Sequence, residues 1–135
     1  MKAIPTIQKY MTTMPHTVGA EQTLTKAEGF MREYKIRHLP VLKGGKLVGI
    51  LTDRDIALVE SLSGVDPKKI TVDEAFSPEP YFTTPDAKLD EVVSIMAEKK
   101  YGCVLVQDNK KLVGIFTWVD ALNAMSELLN QRFHK

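Results

Sequence analysis

At 135 residues and a formal charge of +1, the chain has room for one compact domain, or for two very small ones sharing a core. A hydrophobic content of 44% and a charged content of 26% are ordinary for a soluble globular protein. No concentrated basic stretch points to nucleic acid or to anionic lipid, and the start MKAIPTIQKYM lacks the apolar core of a secretory signal. No run approaches the roughly 20 apolar residues of a membrane span, so a cytoplasmic protein without nucleic-acid or membrane partners is expected. The single cysteine, Cys103, lies in the apolar run CVLV. It excludes a disulfide framework and reads as a small buried hydrophobe rather than a reactive thiol.

In chain order, TIQKYM is a short lead-in and HTV (16–18) a short strand. Helical spacing of Leu24, Ala27, Phe30, Met31 and Tyr34 predicts a helix over about 23–35. The apolar runs HLPVLK and KLVGIL flank Gly44-Gly45, a two-residue link that favours a tight hairpin. Pro40 is expected near a strand start or edge, because it cannot donate to a ladder. A further helix carries Ile56, Leu58, Val59 and Leu62. The stretch SGVDPKKITVDEAFSPEP then reads as a connection, with Thr71-x-x-Glu74 as a capping box for a short helix bearing Val72, Ala75 and Phe76. Asp86 is placed as the cap of a helix that turns Leu89, Val92, Val93 and Met96 inward. CVLVQ and KLVGIF are expected to pair across Asp108-Asn109. A last helix sets Leu122, Met125, Leu128 and Leu129 on one side.

This second series repeats the first. Shifted by 65 positions, the chain overlays itself without a gap from about residue 10 to about 60. Gly49 falls on Gly114, Thr52 on Thr117 and Asp55 on Asp120, while Pro15, Leu24, Met31, Glu33, Lys35 and Val41 also meet identical residues. The expected division is therefore one unit over 6–63, a connection over 64–80 that contains the short helix, and a second unit over 71–130. Each unit is expected to be a three-stranded sheet with two helices on one side. A sheet of that kind leaves one face bare, which is a physical reason for the unit to come in pairs.

The strings KLVGILTDRD and KLVGIFTWVD carry the candidate chemistry. Thr-x-x-Asp at a strand-to-helix junction is close to a capping box, and capping alone accounts for it. A second reading adds a ligand. A helix N-terminus attracts an anion, glycine lets the strand backbone approach another group closely, and a carboxylate accepts hydrogen bonds from the vicinal diol of a ribose. Together these describe a nucleoside-phosphate pocket. His16, His38 and His134 are dispersed, with no partner at metal-ligand spacing, so no metal is expected. There is no P-loop, nucleophile elbow or dinucleotide fingerprint, so an enzyme is not expected either.

With its IxxLPV strand followed by GIhTxxD (h apolar), written twice, the chain resembles a CBS domain pair, or Bateman module, from about residue 6 to 130. The resemblance implies an α/β (α+β) fold of tandem CBS domains, two sheet-plus-two-helix units packed sheet to sheet about a pseudo-twofold axis. It implies clefts between them that bind an adenosyl compound such as AMP, ADP, ATP or S-adenosylmethionine. Asp55 and Asp120 would hold the ribose, with Thr52 and Thr117 near the phosphates. A crossed arrangement would set Thr117 and Asp120 with Met11–Val18, including Thr13, Pro15 and Thr17, and with Ile36, Arg37 and His38. Thr52 and Asp55 would face Ser77–Phe82, including Pro80 and Phe82, with Tyr101 and Gly102.

Arg54 is either a further phosphate donor or a salt-bridge partner of Asp53 or a nearby Glu. The second unit departs from the pattern, reading YGCVLV where the first reads IRHLPV. Trp118 there stacks on a ligand, blocks the cleft, or packs on a neighbouring chain, as large aromatics usually are core or interface residues. The implied function is a regulatory module without catalysis, acting on a separate target protein or through its own assembly as a homodimer. The alternative is an oligomerisation scaffold with empty clefts.

Overall fold

The computed structural model describes residues 3–78 and 80–134. Along the chain the elements are β1 (Thr12–Thr13), β2 (Val18–Gly19), α1 (Leu24–Tyr34), β3 (His38–Lys43), β4 (Lys46–Thr52), α2 (Asp53–Glu60), β5 (Ser77–Pro78), β6 (Phe82–Thr83), α3 (Leu89–Lys99), β7 (Cys103–Asp108), β8 (Lys111–Thr117) and α4 (Trp118–Phe133). Short 3-10 turns at Ile7–Lys9 and Val72–Glu74 precede β1 and β5. The mixed α+β class expected from the sequence is borne out. The chain divides into two units. One runs from His16 to Pro80, and the other joins the chain up to Pro15 with the chain from Tyr81 onward.

In the unit from His16 to Pro80, the sheet order is β2-β3-β4-β5, with β2 parallel to β3 and the other pairs antiparallel. Four strands replace the three expected. The additional strand, β5, comes from the stretch that sequence alone marks as a connection, and its two residues pair with Gly49 and Ile50. Gly44 and Gly45 turn the β3–β4 hairpin with φ of +58° and +78°, the left-handed values that a tight two-residue turn requires. Pro40 is the third residue of β3, close to its start, and pairs with Ile50. The matching residue of the other unit explains why it is tolerated. There the Leu105 N–H donates to the Tyr81 carbonyl at 2.9 Å, so Pro40 forgoes one bond at the fringe of the ladder.

Apolar packing follows the helical spacing closely but not completely. Leu24, Ala27 and Met31 of α1, Leu39, Val41 and Leu51 of the hairpin, and Ile56 of α2 form one core, closed by Val72 from the 3-10 turn. Leu58 and Leu62, expected on the helix that follows the motif, are 67% and 56% exposed. The helix α2 ends at Glu60 and carries only one buried side chain, so Leu62 lies beyond it. Tyr34 is also exposed and stacks on His16 at a ring separation of 3.7 Å.

The second unit is built alike. Its sheet runs β1-β8-β7-β6, with the same parallel and antiparallel pairings. Ile7 from the lead-in plugs the core of Val92, Met96, Val104, Val106, Phe116 and Ala124, as Val72 plugs the other. The β7–β8 turn uses Asn109 and Lys110, with φ of +52° and +66°, rather than Asp108-Asn109. The ladder continues to the Asp108–Lys111 pair, and asparagine is a residue that tolerates the left-handed region.

The lead-in TIQKYM therefore completes the second unit, and TVDEAF completes the first. The residue just before each segment satisfies a donor that a helix start leaves open. The Leu24 N–H donates to the Ile70 carbonyl at 2.9 Å and the Leu89 N–H to the Pro5 carbonyl at 2.9 Å. Val72 N–H reaches the Gln22 carbonyl, and Ile7 N–H the Ala87 carbonyl. The expected capping box at Thr71 and Glu74 is present.

One cap differs between the units. Thr23 caps α1, its hydroxyl accepting from the Lys26 N–H at 3.2 Å. The matching position before α3 is Lys88, which makes no side-chain cap. Asp86, expected as this cap, lies two residues before Lys88 and accepts instead from the Thr84 hydroxyl. Replacing Lys88 by Thr removes a cation from a helix N-terminus and supplies the missing acceptor. Stability should rise by about 1 kcal/mol, measured by urea unfolding. An unchanged midpoint would mean that the Pro5 carbonyl already suffices.

Candidate functional site

Both Thr-x-x-Asp strings lie where a long strand ends and a helix begins, and both are complete capping boxes. The Asp55 N–H donates to the Thr52 hydroxyl at 3.1 Å, and the Thr52 N–H returns a bond to Asp55 Oδ2 at 3.0 Å. In the second unit the matching distances are 3.3 Å for Asp120 N–H to the Thr117 hydroxyl and 2.8 Å for Thr117 N–H to Asp120 Oδ2. The capping reading is correct, and it leaves each carboxylate with acceptor capacity unused.

The expected close approach at the motif glycines is also present, but its partner is the chain itself. A Cβ on Gly49 would run into the Phe76 ring and the Ser77 carbonyl, and one on Gly114 would meet the Met11 sulfur and the Thr12 carbonyl. The glycines let β5 and β1 lie against β4 and β8. That contact delivers a second hydroxyl to each motif. The Ser77 hydroxyl donates to Asp55 Oδ1 at 3.2 Å, and the Thr12 hydroxyl lies 3.3 Å and 3.4 Å from the two oxygens of Asp120. The crossed arrangement implied by the resemblance named their segments, Met11–Val18 with Thr117 and Asp120 and Ser77–Phe82 with Thr52 and Asp55, but gave neither residue a role of its own. The 65-residue shift places Ser77 on Thr12, within the stretch that overlays itself, so the repeat makes the two positions equivalent.

Around the first motif, His38 is the cross-strand partner of Thr52, and the Arg37 carbonyl accepts from the Asp53 N–H at 3.1 Å. Arg37 and His38 thus stand beside the motif of their own unit. Ile36 packs on the core below them. Thr17 is half-buried and Pro80 ends the unit. Arg54 is exposed; the one ion pair among the described residues is Lys43 with Asp73, so the salt bridge considered for Arg54 is not formed there.

In the second unit Gly102 and Cys103 take the places of Arg37 and His38. Gly102 accepts from the Trp118 N–H at 3.0 Å. Thr13 pairs with Gly114, Pro15 is half-buried, and Tyr101 stacks on Tyr81 at 5.4 Å. Phe82 opens β6 and is 36% exposed. Trp118 is 44% exposed at the first position of α4, so it is not a core residue of its unit. Among the described residues, no group of three His, Cys, Asp or Glu side chains could hold a metal ion. No helix there is long and apolar enough to cross a membrane.

Two pKa shifts bear on this region. Burial pushes the Cys103 thiol up to about 12, which leaves it a protonated, unreactive packing group. Burial also lowers His38 below its ordinary value of 6.5; Asp53 and Asp55 oppose that shift, and Arg37 adds to it. A histidine held neutral in the fold contributes stability that is fully present above 6.5 and lost as pH falls through the depressed value. Thermal melts between pH 7.5 and 5.0 should therefore show an acid-side decline that His38→Gln reduces. An identical decline in the variant would remove His38 from the account.

The CBS domain family model matches residues 7–61 and 72–127, which is most of the chain and both repeats. The chain belongs to the CBS domain family. Among its relatives, the CBS domain-containing protein YhcV of Bacillus subtilis is 35% identical over 121 residues, which are 89% of this chain and 86% of YhcV. A solved structure from Vibrio cholerae, provisionally named for acetoin utilization as AcuB, overlays with a TM-score of 0.86 at 28% identity and covers 98% of both chains. The CBS domain pair of MJ0100 overlays with a TM-score of 0.84 at 26% identity, covering 93% of this chain and 99% of its own. That pair was crystallised with 5′-methylthioadenosine and S-adenosyl-L-methionine.

Proposed function

We propose that this chain is a ligand-sensing regulatory module that binds an adenosyl compound of the AMP, ADP, ATP or S-adenosylmethionine class and performs no chemistry on it. The MJ0100 pair with its two adenosyl ligands carries this reading. Support comes from the two motifs, where each carboxylate is fixed by a helix cap and a hydroxyl yet retains free acceptor capacity. Asp55 and Asp120 take the ribose diols, and Thr52 and Thr117 stand near whatever replaces the 5′-hydroxyl. Ile36, Thr13, Pro15, Thr17, Pro80, Phe82, Tyr101 and Gly102 shape the base and ribose surroundings. Arg37, His38 and Arg54 provide cationic or donor groups for phosphate.

The signal leaves through conformation or assembly, toward a separate target protein or a second copy of the chain. Leu122, Met125, Leu129 and Phe133 of α4 are between 47% and 67% exposed, an apolar stripe of the kind that marks an interface. Leu128, expected on the same stripe, packs into its own core. A symmetric homodimer through α4 is the proposed assembly. That stripe also supports the second reading, a scaffold that binds nothing.

Calorimetric titration with AMP, ATP and S-adenosylmethionine, with light scattering on the same samples, separates the readings. Two unequal AMP sites are expected, because Arg37 and His38 have no charged counterpart at Gly102 and Cys103. Arg37→Ala should weaken the tighter site about tenfold, the worth of one charged phosphate contact over a neutral one. Dimers without any adenosyl binding would leave the scaffold reading.

A further inference from the structure

We propose that Ser77 and Thr12 are positioning residues for the ligand diol, each setting the carboxylate of its unit's motif aspartate from an edge strand. The inference rests on the adenosyl-binding reading above and adds residues that the Thr-x-x-Asp motif does not contain. The capping box fixes one oxygen of each aspartate, Oδ2, through the backbone N–H of the threonine three residues earlier. One fixed oxygen leaves the carboxylate plane free to turn about the Cβ–Cγ bond, and a diol needs both oxygens presented together.

In the first unit Ser77 supplies the second anchor, on Asp55 Oδ1. Each oxygen of Asp55 then carries one protein donor and retains one lone pair, which is the pattern a vicinal diol can engage. In the second unit Thr12 is shared between the two oxygens of Asp120 at 3.3 Å and 3.4 Å, and the Thr117 hydroxyl adds a further contact to Oδ2 at 3.2 Å. The contact recurs through different residue types, serine in one unit and threonine in the other. Both sit on two-residue strands that pair with the glycine strand of the motif. Packing would accept any small residue at these places, whereas the geometry uses a hydroxyl in both.

The test uses the full chain, with AMP and 2′-deoxy-AMP as probes in calorimetry and a thermal melt alongside. Ser77→Ala and Thr12→Val should each weaken AMP about fivefold at one site. Neither should change the affinity for 2′-deoxy-AMP, which offers no diol, so the preference for the ribonucleotide should fall. Ser77→Thr should restore it, and the melting temperature should stay near that of the parent. If the parent binds AMP and both variants keep its affinity and its ribose preference, the hydroxyls are not positioning residues. Tighter AMP binding by Ser77→Ala would also overturn the proposal, because Ser77 would then be competing for the carboxylate. A parent that binds no adenosyl probe overturns this inference and the adenosyl-binding reading together.

Discussion

Gly49→Ala should cost about 3 kcal/mol of stability, although alanine is the better residue by backbone entropy alone. Replacing a strand glycine ordinarily gains about 0.5–1 kcal/mol. Here the added Cβ meets the Phe76 ring and the Ser77 carbonyl. A backbone carbonyl cannot rotate away, and Phe76 packs against the core of its unit, so the strain falls on β5 and on the ladder it makes with β4. Overpacking of this kind costs about 1–3 kcal/mol, and losing the strand adds to it. Gly114→Ala is the internal control. Its Cβ would meet the Met11 sulfur at 2.6 Å and the Thr12 carbonyl at 3.0 Å. Methionine is flexible and can shift, so the cost should be about 1 kcal/mol. Urea unfolding of the two variants would expose the difference. Midpoints equal to the parent's in both variants would show that neither edge strand is packed tightly enough to matter.

These glycines also mark the limit of what was legible in the sequence. The repeat, the long hairpins, the helix faces and both capping boxes are local or periodic features, and they were readable because their cause lies within a few residues. Gly49 and Gly114 were correctly read as points of close backbone approach. The approaching group was not identifiable, because Phe76 and Ser77 lie 27 and more positions away in a stretch too short and polar to announce a strand. A two-residue strand has no alternation to detect. The segments Met11–Val18 and Ser77–Phe82 were expected beside the motifs from the resemblance, but the same shortness left the Thr12 and Ser77 hydroxyls without an assigned contact.

The exchange of lead-in segments was harder still to see. TIQKYM and TVDEAF each stand before a repeat in sequence, so reading along the chain assigns each to the repeat that follows. Long-range backbone bonds decide otherwise: Val72 to Gln22 and Ile7 to Ala87 tie each segment to the other repeat. The exposure of Leu58 and Leu62 has a different cause. Helical spacing says which residues share a face, but α2 has only two turns; it buries Ile56 and packs Val59 against the same core, while Leu58 is exposed and Leu62 lies beyond the helix end.

The motif aspartates set the largest expected effect on binding. In Asp55→Ala and Asp120→Ala the threonine hydroxyl still caps its helix, while the returning bond to the threonine N–H and the hydroxyl contact from Ser77 or Thr12 on the edge strand are lost. That should cost each helix about 1 kcal/mol. The ligand loses more. A hydroxyl donating to a carboxylate is worth about 1.5–3 kcal/mol, and a diol makes two such bonds. Even at the lower figure, each substitution should weaken AMP on the order of 100-fold at its own site, and the double variant should bind no AMP that calorimetry detects at millimolar concentration. Asp55→Asn separates charge from shape, since the amide keeps one acceptor in the same place, and it should fall between parent and Ala. If the double variant binds AMP as tightly as the parent, the two carboxylates serve only as helix caps.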